Sequence, residues 1–324
     1  MSEFPQPNKN PDLNADPVSA SAPAAGTDKM GERFIQAGLL DKEQVARVVQ
    51  LQNAEQIRFG EAAVRLGLLT ERDIQAVLSQ QFNYATATAS ANIDISLDIA
   101  HMPYSLESEA IRQIRAELSI RLSGQPKIAL ALVSANDREG KSYLSASLSL
   151  AFAQMGKRTL LIDANLRHPS QHALFGLPRK TGLSTVLAGR SAIDENLLSS
   201  GFPNLTVLTA GPTPPNPLEI LLEPALTDLI AGLSDRYDVF IVDTPNTGLS
   251  SDAQTISRQV GACLLVARKD VTSIADLHQM QAQMKTAGAQ IIGTVYNEFS
   301  EPAASTVTSR VWDRVRSWRA RKSA

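Results

Sequence analysis

The sequence predicts an α/β protein: a mostly parallel sheet covered by helices, preceded by a small all-α domain. Three observations carry this. Short apolar runs at Ile128–Val133, Thr159–Ile162, Leu205–Leu208, Val239–Val242, Cys263–Val266 and Ile291–Tyr296 alternate with helical stretches, the mark of parallel strands with both faces buried. A Gly140-Lys141-Ser142 turn follows the first run and opens a helix. Near the N-terminus, a 29-residue repeat carries apolar residues at helical spacing.

The 324 residues suffice for about two domains of roughly 150 residues each. A net charge of −2 gives no general polyanion-binding surface, so no nucleic-acid partner is expected. One cysteine, Cys263, excludes an internal disulfide framework and suits a reducing cytoplasm. The longest apolar candidate, 144–162, is broken by serines and by Gly156-Lys157-Arg158, short of the roughly 18 residues a membrane helix needs. Prolines 5, 7 and 11 exclude a secretory signal. A cytoplasmic protein is expected.

Residues 1–27, with five prolines, form a disordered lead-in. Residues 28–82 form the tandem repeat. Met30-Gly31-Glu32 recurs as Phe59-Gly60-Glu61, Gly38-Leu39-Leu40 as Gly67-Leu68-Leu69, and Val48 as Val77. Each copy predicts a helix ending at the glycine and a second beginning near Asp41 or Thr70. A polar stretch, 83–103, is expected to link this domain to the rest. Beyond it a helix is predicted over 105–122, then the sheet domain (104–299) and a basic tail (300–324).

Residues 135–142, Ala-Asn-Asp-Arg-Glu-Gly-Lys-Ser, fit the phosphate-binding P-loop with Ala135 for its first glycine. The amides of Asp137, Arg138, Glu139, Gly140, Lys141, Ser142 and Tyr143 are expected around the phosphates, where free N–H groups and the helix dipole favour anions. Lys141 would reach the β- and γ-phosphates and Ser142 would ligate Mg²⁺. Two further apolar strands end in aspartates, Asp163 and Asp243. A carboxylate at the C-terminal end of a parallel strand faces the ligand crevice. Asp243 is expected to hold Mg²⁺. Asp163 would stand next to the P-loop and orient or deprotonate an attacking hydroxyl, the alternative being a turn-stabilising aspartate. His168 and His172 lie four apart without a third ligand and are read as solvated or capping.

Together, Glu139–Ser142, the stretch 161–169 (Leu-Ile-Asp-Ala-Asn-Leu-Arg-His-Pro), 240–245 (Phe-Ile-Val-Asp-Thr-Pro), 214–222 and 293–297 resemble the bacterial tyrosine kinases of capsular and exopolysaccharide synthesis, chiefly the soluble chain-length-determinant kinases. The resemblance covers about 105–299. It implies a P-loop NTPase fold using ATP and Mg²⁺, with Lys141, Asp163, Arg167 and Asp243 catalytic, Ser142, Asp163 and Asp243 at the metal, and Asn297 at the adenine. It also implies ring assembly through Glu109, Arg112 and Arg115, the alternative being an ordinary solvated helix face, and an inner-membrane polysaccharide co-polymerase as partner, which would place the chain at the inner face of the inner membrane. Partition and septum-placement ATPases carry a signature lysine where this chain has Asn136. Asn165 stands where the kinases carry a second aspartate. Their C-terminal tyrosine cluster has no counterpart, since none of the five tyrosines falls in 299–324. A non-kinase, nucleotide-gated docking switch is therefore the alternative reading.

The repeat resembles the N-terminal domain of type II secretion and pilus ATPases, some of which bind cyclic di-GMP. That implies Arg58, Gly60, Gly67 and Gln81 as ligand residues. In the tail, six basic residues between 310 and 322 face one acid, Asp313, with Trp312 and Trp318 beside them. The default is a solvated tail, the alternatives contact with anionic lipid or a partner.

Overall fold

The computed structural model describes residues 27–70, 73–74, 77, 91–222 and 225–298. The expectations for the lead-in up to residue 26, for Gln81 and for the basic tail lie outside the described residues. The chain divides into two compact units at Val77/Leu78.

In the first unit, helices span Thr27–Gln36, Lys42–Glu55 and Phe59–Arg65. Asp41 caps the second helix through a reciprocal pair of bonds with Gln44. In the second copy, Thr70 and Asp73 bond each other in the same register. Gly38 and Gly67 take φ of +69° and +66°, left-handed conformations that end the preceding helices. The repeat shows in the core, where Leu40 and Leu69, and Val48 and Val77, are buried pairwise. Phe34 stacks on Phe59 at 5.7 Å.

The second unit is built on a seven-stranded sheet in the order β3-β4-β2-β5-β1-β6-β7. The strands are β1 Ile128–Ser134, β2 Thr159–Asp163, β3 Leu198–Ser199, β4 Leu205–Leu208, β5 Val239–Asp243, β6 Ala262–Arg268 and β7 Gln290–Asn297. All pairings are parallel except β3 with β4. Alternation along β1 assigns the two faces. Leu130 and Leu132 join one core layer, with residues of helices Leu106–Arg121 and Lys141–Gln154. Ala131 and Val133 join the other, with residues of Asp252–Val260 and Ile274–Ala287.

Residues 91–103, expected to be linker, are packed instead. Ile93, Leu97, Ile99 and Ala100 are buried in the first layer, and the Asp94 N–H donates to the Leu174 carbonyl at 2.7 Å. A Cβ on Gly176 would lie 2.5 Å from Asn92 Cβ, so a glycine there lets this segment approach. The stretch's polar composition hides its few regularly spaced apolar residues.

Candidate nucleotide site

The P-loop joins the end of β1 to helix Lys141–Gln154. Gly140 caps that helix at φ +90°, and Arg138 also has a positive φ, +60°. Such backbone is held by its surroundings. The buried Glu139 carboxylate accepts from the Asn136 N–H at 2.9 Å, from the Asn136 side-chain amide at 3.2 Å and from the Thr272 hydroxyl. Arg268 Nη1 donates to the Arg138 carbonyl at 2.7 Å, and Asn246 Nδ2 donates to Asp137 Oδ1. Asn297 Nδ2 donates to the Glu139 carbonyl at 3.1 Å. Asn297, implied as an adenine contact, here clasps the loop backbone. The Tyr143 ring packs against the core, and burial, then the charge of Asp98, raises its phenol, so only its backbone amide is left to face the loop.

Lys141, Asp163 and Asp243 meet at the carboxyl ends of β1, β2 and β5. Asp163 and Asp243 are directly paired in register on adjacent strands and fully buried. Lys141 Nζ donates to Asp243 Oδ1 at 3.0 Å. Asp163 Oδ1 accepts from the Asn165 N–H at 3.2 Å, and Oδ2 from those of Ser170 and Gln171 at 3.1 and 3.0 Å. Burial first, then the neighbouring charge of Asp243, pushes Asp163 up to about 7. Asp163 thus organises its loop through three backbone amides, and burial and Asp243 raise its proton affinity in the direction general-base work needs.

Gln171, which no sequence pattern marks, is fully buried in this cluster. Its Nε2 donates to Asp243 Oδ2 at 2.8 Å and to the Ser142 carbonyl at 3.0 Å. Asn165 Oδ1 accepts from the His168 N–H at 3.0 Å, a loop-closing role open to Asn and Asp alike. Arg167 pairs with buried Asp252 at 2.7 Å, bracing the loop after β2 against helix Asp252–Val260. No sequence pattern marks Asp252 either. Burial, then the charge of Arg179, lowers the partly buried His172.

Among the described residues, no group of three or more His, Cys, Asp or Glu could hold a metal ion alone. Ser142, Asp163 and Asp243 still fit Mg²⁺, a hard ion that takes oxygen ligands from one or two carboxylates and completes its shell with phosphates and water. A buried, unpartnered Gln171 Oε1 beside them is the polar atom such a hydrated ion would satisfy.

The assembly motif is used within the chain. Arg112 is buried, bonded to Glu109 and to the Pro103 carbonyl, and Arg115 Nη1 donates to the Ala151 carbonyl at 3.1 Å. Glu109 alone keeps an exposed side chain. In the repeat unit, a Cβ on Gly31 would lie 2.6 Å from Val45 Cγ1, and one on Gly60 3.0 Å from Ile74 Cδ1. Helix packing therefore accounts for these glycines, and turn geometry for Gly67, without a ligand. Arg58 supplies the N-cap backbone of its helix.

No family model matches the chain. Individual proteins do. The putative tyrosine-protein kinase CapB of Staphylococcus aureus is 33% identical over 196 residues, 60% of this chain and 86% of that protein. Tyrosine-protein kinase YwqD of Bacillus subtilis is 34% identical over 195 residues, covering 82% of its length. The chain belongs to the bacterial tyrosine-protein kinases. It spans only 26% of another member, tyrosine-protein kinase Etk of Escherichia coli, at 33% identity. The solved kinase domain of Etk superposes with a TM-score of 0.60 at 28% identity, over 70% of this chain and 96% of that one. The chimerical protein CapA2B2 gives 0.58 at 28%, over 70% of this chain and all of that one. These kinase-domain neighbours share the P-loop α/β fold.

Proposed function

We propose that this chain is an ATP-dependent protein-tyrosine kinase that regulates exopolysaccharide chain length and export together with a membrane co-polymerase. The carrying observation is the buried cluster of Lys141, Asp163 and Asp243 at one P-loop, in a chain whose relatives are tyrosine kinases. Lys141 turns from Asp243 to the β- and γ-phosphates. Ser142, Asp163 and Asp243 would hold Mg²⁺, which would supply neutralisation of the charge developing on the phosphates. Amides of residues 137–143 surround the β-phosphate. Asp163 accepts the proton of the tyrosine hydroxyl as its oxygen bonds to the γ-phosphorus and the bond to the bridging oxygen breaks, releasing ADP. Such transfer demands mostly positioning and charge neutralisation.

With no tyrosine in 299–324, the acceptor lies elsewhere, on another part of the chain or on the partner. Homo-oligomerisation belongs to the same proposal, with Glu109 the member of its motif still exposed. The N-terminal unit is proposed as a docking module. Among the described residues no helix is long and apolar enough to cross a membrane, which is consistent with a separate membrane partner. The test incubates purified protein with Mg-ATP and the co-polymerase, followed by phosphotyrosine mass spectrometry, with Lys141→Met as control. Phosphotyrosine that depends on Lys141 supports the kinase. Its absence on both chains leaves the nucleotide-gated switch.

A further inference from the structure

Gln171 is the one fully buried amide in the site, and it touches all three parts of the nucleotide machinery. Its Nε2 holds Asp243 Oδ2 and the Ser142 carbonyl, while its backbone N–H holds Asp163 Oδ2. Both side-chain partners are acceptors, so the nitrogen must face them, and the orientation of the amide is fixed. Its oxygen is buried and has no partner among the described residues. A bare buried carbonyl is costly, and folds keep one where something completes it.

We infer that Gln171 positions the divalent cation: its nitrogen ties down Asp243 Oδ2 so that Oδ1 faces the metal, and its oxygen accepts from a water in the metal's shell. The inference rests on the Mg-ATP reading. Lys141 holds Asp243 Oδ1 at 3.0 Å in this structure, with the Ser145 hydroxyl more distant at 3.5 Å, and its departure toward phosphate opens that atom while Oδ2 stays on Gln171. Without Gln171 only the Ser145 hydroxyl at 3.5 Å would hold the carboxylate, which could then turn away from the cation. Mg²⁺ keeps several waters when bound, and a buried acceptor next to its carboxylates suits one of them.

The experiment measures binding of a fluorescent ADP analogue to the full chain across a Mg²⁺ titration, for the wild type and Gln171→Met, which keeps volume and removes both polar atoms. Expected is a loss of about tenfold or more in Mg²⁺ affinity, with metal-free ADP affinity changed less than about twofold. Raised Mg²⁺ should restore the variant's phosphate transfer, which a purely structural defect would not allow. An unchanged Mg²⁺ midpoint overturns the inference. So does an equal fall in metal-free and metal-dependent affinity, which would make Gln171 a loop anchor only. If the wild type itself shows no Mg²⁺ effect on ADP, the Mg-nucleotide reading fails and this inference with it. Should Gln171→Met not fold, Gln171→Asn shortens the amide and is judged by the same criteria.

Discussion

Replacing Asp163 by Asn should stabilise the nucleotide-free protein at pH 8 while abolishing phosphate transfer. Asp163 and Asp243 are both fully buried, side by side on β2 and β5, and share a single ammonium, that of Lys141. Burial and the Asp243 charge push Asp163 up to about 7. The unfolded chain ionises at an ordinary carboxylate value near 3.9. Between those two values the folded state binds more protons than the unfolded one, so stability falls as pH rises from about 4 to about 7. About 1.4 kcal/mol accompanies each pKa unit, which bounds the cost near 4 kcal/mol at pH 8. Asparagine can still accept the Ser170 and Gln171 amides through its oxygen, but its NH₂ opposes the Asn165 N–H that Asp163 Oδ1 now accepts. That lost bond returns about 1 kcal/mol or somewhat more. The net gain is then of order 2 kcal/mol at pH 8, or about 4–8 °C in Tm for a unit of this size, and it reverses toward pH 4, where only the lost bond remains. Calorimetric unfolding without nucleotide or Mg²⁺ at pH 4.5, 6 and 8 reads this directly. A Tm difference independent of pH, or a variant less stable than the wild type at pH 8, refutes the reasoning.

Gly140→Ala forces a side chain into a residue at φ +90°, with its Cβ 2.3 Å from Asn297 Nδ2. Nucleotide affinity measured by calorimetry should fall at least about tenfold, because the loop amides lose their alignment at the phosphates. Phe240→Ala removes a fully buried ring from the centre of β5, against Tyr237. Denaturant unfolding should show a loss of about 3–5 kcal/mol.

Strands were legible because each is a short apolar run bounded by polar residues. Only β3 escaped, two residues whose pairing with β4 leaves no periodic trace. The P-loop and both strand-end aspartates were legible because their chemistry dictates residue type at fixed spacing. Gln171, Asp252, Asn246 and Thr272 were not. They are single polar residues brought to the site by loops after β2, β5 and β6, and nothing local separates them from solvated neighbours. Arg112 and Arg115 show the converse. Three-residue spacing places charges on one helix face but cannot say whether that face meets solvent or the chain's own carbonyls.

The central claim is tyrosine phosphorylation by the Lys141–Asp163–Asp243 cluster. Its most direct measurement mixes the active chain with tagged Lys141→Met protein and the co-polymerase in Mg-ATP labelled at the γ-phosphate. Label on tyrosine of the inactive copy or of the partner, absent when Lys141→Met is the only kinase form present, is the result predicted here. ATP hydrolysed with no label on any tyrosine would contradict it.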